Sequence, residues 1–126
     1  VGAVHAGWRG LCDGVIEQTV RSMGVPPPTI MAWLGPAIGP QAFEVGEEVR
    51  AAFLAQQPEA ATAFVPGEPG KWFADLYQLA RLRLHTMGIT HIYGSGFCTC
   101  TDRDRFFSYR RDGATGRMGT FIWLTE

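Results

Sequence analysis

The sequence predicts an α+β fold with mixed sheets and flanking helices, and three observations carry that expectation. Short apolar runs bounded by turn residues, VGAV, TIMAWLG and ITHIYG, read as buried strands. Stretches of helical spacing lie between them. The closing FFSYRRD, the turn DGATG and RMGTFIWL read as an antiparallel hairpin. Crossover helices beside a terminal hairpin imply mixed sheets rather than a doubly wound parallel fold.

Each element has its own justification. Val1 to Val4 form an apolar run that ends at His5, where a side chain can leave a sheet and face a cleft. A core strand with no preceding turn or cap implies that sequence has been removed before Val1. In LCDGVIEQTVRSMG, Leu11, Val15, Ile16, Thr19, Val20 and Met23 share one stripe of a helix, closed by Gly24 and Pro26 to Pro28. GPAIGPQAFEVG is a Gly/Pro loop leading into a second helix. There Val45, Val49, Ala52 and Phe53 form the apolar face, and Glu44, Glu47 and Glu48 load the first turns, as the helix dipole prefers. That helix is expected to end near Pro58, with PGEPGK as a surface turn. ADLYQLARLRLHTMG then resumes helical spacing through Leu76, Leu79, Leu82 or Arg83, and Met87, with Asp75 near its start and Gly88 as its stop.

Composition narrows the function. With 126 residues, 46% hydrophobic and 18% charged, the chain suits one folded domain and not a disordered segment. A net charge of −1 gives no general attraction to nucleic acid or to an anionic membrane. The basic residues are ten arginines and one lysine, so their role is local: the guanidinium fork holds phosphate or carboxylate in fixed geometry. No apolar run approaches the roughly 18 residues of a membrane span, and no basic, apolar leader is present, so a cytoplasmic protein is expected. Cys12, Cys98 and Cys100 lack the pattern of a disulfide scaffold, which agrees with a reducing compartment.

Four constellations offer chemistry. His5 and Arg9 in HAGWRG pair an imidazole, able to bind metal or move protons near neutral pH, with a guanidinium one turn on that can hold an anion. A histidine satisfied at a strand end is the plain alternative. GPAIGP resembles an anion-binding loop, but it lacks the ending of a phosphate-binding loop, and its prolines remove two N–H donors. A rigid turn shaping a pocket wall is the favoured reading there. Cys98 and Cys100, with His85 or His91, match a zinc site weakly, because paired thiolates in such sites are usually two or more residues apart. Cys12 reads as a small buried residue. Arg110 and Arg111, adjacent on an expected strand, are expected to point to opposite faces, one of them lining a cleft. Asp102 to Arg105 read as a solvated, self-paired turn.

HAGWRGL, WLGPAIGPQAFEVG, the DLYQLAR helix, CT followed by FFSYRRD, and GRMGTFIWL together resemble the C-terminal half of the laccase-domain, YfiH-like family, also called polyphenol oxidases. The motifs occur in order from Val1 to the last strand, so residues 1–126 resemble the C-terminal part of a single laccase-like domain whose upstream half is missing. The resemblance implies a four-layer α/β/β/α sandwich like the catalytic domain of cytotoxic necrotizing factor. It implies a cytoplasmic purine nucleoside phosphorylase acting on adenosine, inosine and methylthioadenosine, with adenosine deaminase activity. An older description implies a copper-dependent polyphenol oxidase. The family's metal centre, normally zinc, uses two histidines and one cysteine, of which only the HAGWRG histidine, His5, has a counterpart here. Cys98 and Cys100 fall on the CT motif and not on the ligand cysteine. Purine nucleoside and phosphate are the implied partners, with Arg9 the first candidate to hold phosphate and Arg111 the second. A catalytically incomplete chain that acts only as a folded or binding module is the remaining alternative.

Overall fold

A computed structural model describes all residues, Val1–Glu126. It is a mixed α+β arrangement of two small sheets and their helices. In chain order the elements are α1 (Trp8–Asp13), α2 (Val15–Ser22), β1 (Met31–Leu34), β2 (Glu44–Gly46), α3 (Glu47–Gln56), β3 (Phe64–Pro66), β4 (Lys71–Ala74), α4 (Leu76–Thr86), β5 (His91–Gly94) and α5 (Tyr109–Asp112). Strands β1 and β5 pair in parallel, Met31 opposite His91 and Trp33 opposite Tyr93. The second sheet is antiparallel in the order β2–β4–β3. No helix is long and apolar enough to cross a membrane.

The helices meet over one core in which Leu11, Phe53, Leu79 and Ile89 are the largest fully buried side chains. α4 forms as its sequence predicts: the Asp75 carboxylate accepts the Gln78 N–H at 3.0 Å, and Gly88 closes the helix at φ +88°. Its buried stripe contains a charge. Arg83, only 5% exposed, donates to a Glu17 carboxylate oxygen (2.9 Å), the Cys12 carbonyl (3.2 Å) and the Gln56 side-chain oxygen (3.2 Å), and so ties α4 to α1, α2 and α3. The second oxygen of Glu17 is buried with no partner.

Several elements differ from expectation. Val1 to Val4 form no strand, and Val1 and Val4 are exposed, because no neighbouring strand is present to complete a ladder. The helix expected across LCDGVIEQTVRSMG is two helices, broken where Gly14 takes φ +96° and its N–H caps α1 on the Gly10 and Leu11 carbonyls. Glu44 and Val45 belong to β2 and not to the following helix, which starts only after Gly46; Val45 is buried by the sheet. The PGEPGK turn joins two unforeseen strands, β3 and β4. Strands β1 and β5, both expected to be buried, are half-buried on one face and exposed on the other.

The terminal hairpin is absent. Ser108 accepts the Arg111 N–H and caps the short helical turn α5, and residues 113–126 carry no regular structure. Phe121, Trp123 and Leu124 are exposed. Alternating apolar residues favour a strand only when a partner strand and a covering layer exist, and this segment has neither.

Candidate functional site

HAGWRG leads into α1. Gly7 precedes the first turn and its carbonyl accepts the Leu11 N–H at 2.8 Å, while Trp8 packs half-buried against the core. His5 and Arg9 therefore remain on the surface. The imidazole lies over Gly7, its Nε2 4.0 Å from where a Cβ on that glycine would sit. The Arg9 guanidinium stacks on Trp8, 5.1 Å from the ring centroid, and makes no hydrogen bond or ion pair within the chain. Stacking orients the fork and leaves its N–H edge open to an anion.

Arg111 is differently placed. Its Nε and one terminal nitrogen bind Asp112, and the other N–H groups go to the carbonyls of Thr99 (3.3 Å), Cys100 (3.1 Å) and Phe106 (3.0 Å). All five donors are engaged, so this side chain braces a loop. Arg110 reaches the Glu44 carbonyl and lies over Phe43. The two arginines diverge from a helical turn and not, as expected, from a strand.

A cleft of about 490 Å³ opens beyond the carboxyl ends of β1 and β5, the end of parallel strands at which ligands usually bind in α/β sheets. Gly39 and Pro40 of GPAIGP form part of its wall, as the sequence suggested. Opposite them Gly94, Ser95 and Gly96 take φ of +89°, +77° and +83° in succession. At Gly94 this is obligatory, because a Cβ would fall 2.3 Å from the Leu34 carbonyl oxygen. Arg81 of α4 donates to the Ser95 hydroxyl in the same cleft.

Tyr77 and Cys98 hold the two loops together. The Tyr77 hydroxyl accepts the Ala37 N–H at 2.7 Å and donates to the Phe97 carbonyl at 3.0 Å; burial pushes its pKa up and keeps the donating proton in place. The Cys98 sulfur accepts the Gly39 N–H at 3.1 Å. Burial pushes the Cys98 thiol up, yet hydrogen bonds from the Thr101 side chain and from the backbone N–H groups of Gly39, Thr101 and Cys100 outweigh it and leave the thiol below its usual range. Cys98 thus acquires a role that its spacing did not reveal. Arg105 pairs with Asp102, as expected of this turn, and also stacks over Phe97 and Phe106.

The structure does not bring the sequence candidates into one site. His5, Arg9 and Arg111 are not among the residues lining the cleft. Nowhere do three His, Cys, Asp or Glu side chains gather as metal ligands, so neither His5 nor the pair Cys98 and Cys100 with His85 or His91 forms a metal centre within this chain. Tyr77, Arg81 and Ser95 are the residues that sequence reasoning missed. The glycine-flanked serine after a strand, YGSG, was a readable sign of backbone with positive φ.

These features belong to a known class. Residues 1–125 match the family model described as multi-copper polyphenol oxidoreductase laccase, and the chain belongs to that family. It is 57% identical over its whole length to the purine nucleoside phosphorylase PA4543 of Pseudomonas aeruginosa, covering 52% of that protein. It is 57% identical to the purine nucleoside phosphorylase YfiH of Escherichia coli, over 98% of this chain and 51% of the relative. Among solved structures, Neisseria meningitidis protein NMB0706 superposes with a TM-score of 0.88 at 57% identity, over 90% of this chain and 47% of that one. The chain spans about half the length of the curated relatives it matches.

Proposed function

We propose that this chain supplies the phosphate-holding part of a purine nucleoside phosphorylase, a reading carried by its 57% identity, along its full length, to relatives of that name. Phosphate attacks C1′ of the ribose, the glycosidic bond breaks and the purine leaves with a proton. Arg9 holds the phosphate oxygens, because its stacked guanidinium has every donor unengaged. Arg111 positions the loop around Thr99 and Cys100 and does not itself meet substrate. Adenosine, inosine and methylthioadenosine are the candidate nucleosides, with deamination of adenosine as a second activity. The zinc or copper centre implied by the family resemblance does not fit the donors present, since His5 has no second ligand beside it, and no step is routed through a metal. The two small sheets and their helices suit one part of a cytoplasmic four-layer α/β/β/α sandwich.

The test is phosphate-dependent release of hypoxanthine from inosine, measured on this chain and on the chain joined to the half that its relatives carry, both analysed for metal. Activity in the joined protein that falls about 100-fold in Arg9→Ala is expected, the scale seen on removing one charge-stabilising donor. No phosphorolysis by the joined, fully metallated protein overturns the reading. A second reading, favoured by the solitary His5, makes the isolated chain a folded module without activity; stoichiometric zinc in the chain alone counts against it.

A further inference from the structure

Four arginines are buried or half-buried, and three of them have a carboxylate partner. Arg83 pairs with Glu17, Arg111 with Asp112 and Arg50 with Glu47. Arg81, half-buried on α4, has none: its guanidinium donates to the Ser95 hydroxyl and forms no ion pair. A charge drawn out of water toward a neutral hydroxyl carries a desolvation cost that nothing in the chain offsets. The carboxylates that line the same cleft are committed elsewhere, Asp75 to the Gln78 N–H and Asp102 to Arg105. Beside Ser95, the N–H groups of Gly96 and Phe97 have no acceptor within the chain.

A second hollow adjoins this cleft, the two sharing Pro40, Gln41 and Asp75. Ala63, Val65 and Phe73 make its wall largely apolar, and Val65 is 62% exposed. The two compartments together suit a molecule with an anionic end and a hydrocarbon arm. Asp75 and Asp102 in the lining repel a dianion such as phosphate. A carboxylate carries one charge and matches the guanidinium fork in two parallel hydrogen bonds. We propose that the cleft is a binding site for a small apolar carboxylic acid, its carboxylate on Arg81 and its hydrocarbon body over Val65 and Phe73. Ser95 orients the guanidinium for it. The proposal is independent of the phosphorylase reading, because Arg9 lies outside the cleft and binding is read without activity.

The experiment titrates this chain calorimetrically with 3-phenylpropionate, and in parallel with its neutral amide, acetate and inorganic phosphate. One-to-one binding with Kd on the order of 1 mM is expected for so small a molecule. Arg81→Gln is expected to weaken it at least ~10-fold, the loss of a charge-assisted contact, with Arg81→Lys between the two. Arg21→Gln, the same change at an exposed arginine of α2, is expected to leave it unaltered. Val65→Asp is expected to narrow the preference for 3-phenylpropionate over acetate. Thermal unfolding separates a ligand site from a structural brace. Without ligand, Arg81→Gln is expected to keep or raise Tm, because it removes an uncompensated charge; 3-phenylpropionate then raises the Tm of the original chain and not of the variant. Four results overturn the proposal: no saturable binding, undiminished binding by Arg81→Gln, the amide or phosphate binding as tightly as the carboxylate, or a lower Tm or loss of folding in ligand-free Arg81→Gln.

Discussion

The helical crossing around Arg83 and the outer face of β1 and β5 solve opposite problems. At the crossing a charge is buried, and Glu17, the Cys12 carbonyl and Gln56 surround it from three helices. At the sheet, large apolar side chains, Met31, Trp33 and Tyr93, face water with nothing over them. The first region gives its charge three partners and leaves one Glu17 oxygen unpaired, whereas the second leaves its large apolar side chains exposed. A buried charge and an uncovered apolar face thus share one chain.

Substitutions separate the two regions by size of effect. Arg83→Ala leaves the half-buried Glu17 without its counter-charge and three acceptors without their donor, and a loss of about 2–4 kcal/mol in unfolding free energy is expected by denaturant titration. A loss below about 1 kcal/mol breaks the claim that Arg83 ties the helices together. Asp75→Ala removes the α4 cap and costs about 1 kcal/mol in the same titration. Trp33→Glu, on a face more than half exposed, is expected to cost less than ~1 kcal/mol, the part of the ring that packs on Gly35 and Gly94 being the loss.

The smallest effect leaves stability aside. A thiol alkylates as its thiolate, so the thiol with the lower pKa reaches its half-maximal rate at the lower pH. Cys98, held below the usual range by its donors, is expected to react with iodoacetamide at lower pH than Cys12. Burial pushes Cys12 up and outweighs its attraction to Arg83. Mass spectrometry of the alkylated peptides across pH gives the order. Reversal would show that the buried and cleft thiols have been assigned the wrong environments.

Legibility in the sequence follows the range of the interactions. α4 was readable because its cap, its stripe and its glycine stop all lie within 14 residues of chain, from Asp75 to Gly88. β3 and β4 are three and four residues long, too short to set up a period, and pairing across the PGEPGK turn is what defines them. The terminal segment shows the converse error: alternation suggested a hairpin, but no partner is present to form its ladder. In the candidate site, the pocket wall of GPAIGP was legible from local residue types, whereas the placing of His5 at a strand end facing a cleft failed because Val1 to Val4 form no strand. The bracing by Arg111 was not legible, because its acceptors are carbonyls whose positions depend on the loop's full shape. The partner of Cys98 is Gly39, 59 residues away, and local spacing carries no trace of it.

That last pair has an evolutionary consequence. A Cβ added at Gly39 would fall 3.0 Å from the Cβ of Cys98 and 3.3 Å from its sulfur, so the space between the two loops is a single shared volume. Either position can gain an atom only if the other gives one up. In diverging sequences the two sites are therefore expected to covary, an alanine at the first accompanied by a glycine at the second. The exchange would relieve the crowding but leave the seam one heavy atom short, without the sulfur that accepts the N–H of residue 39.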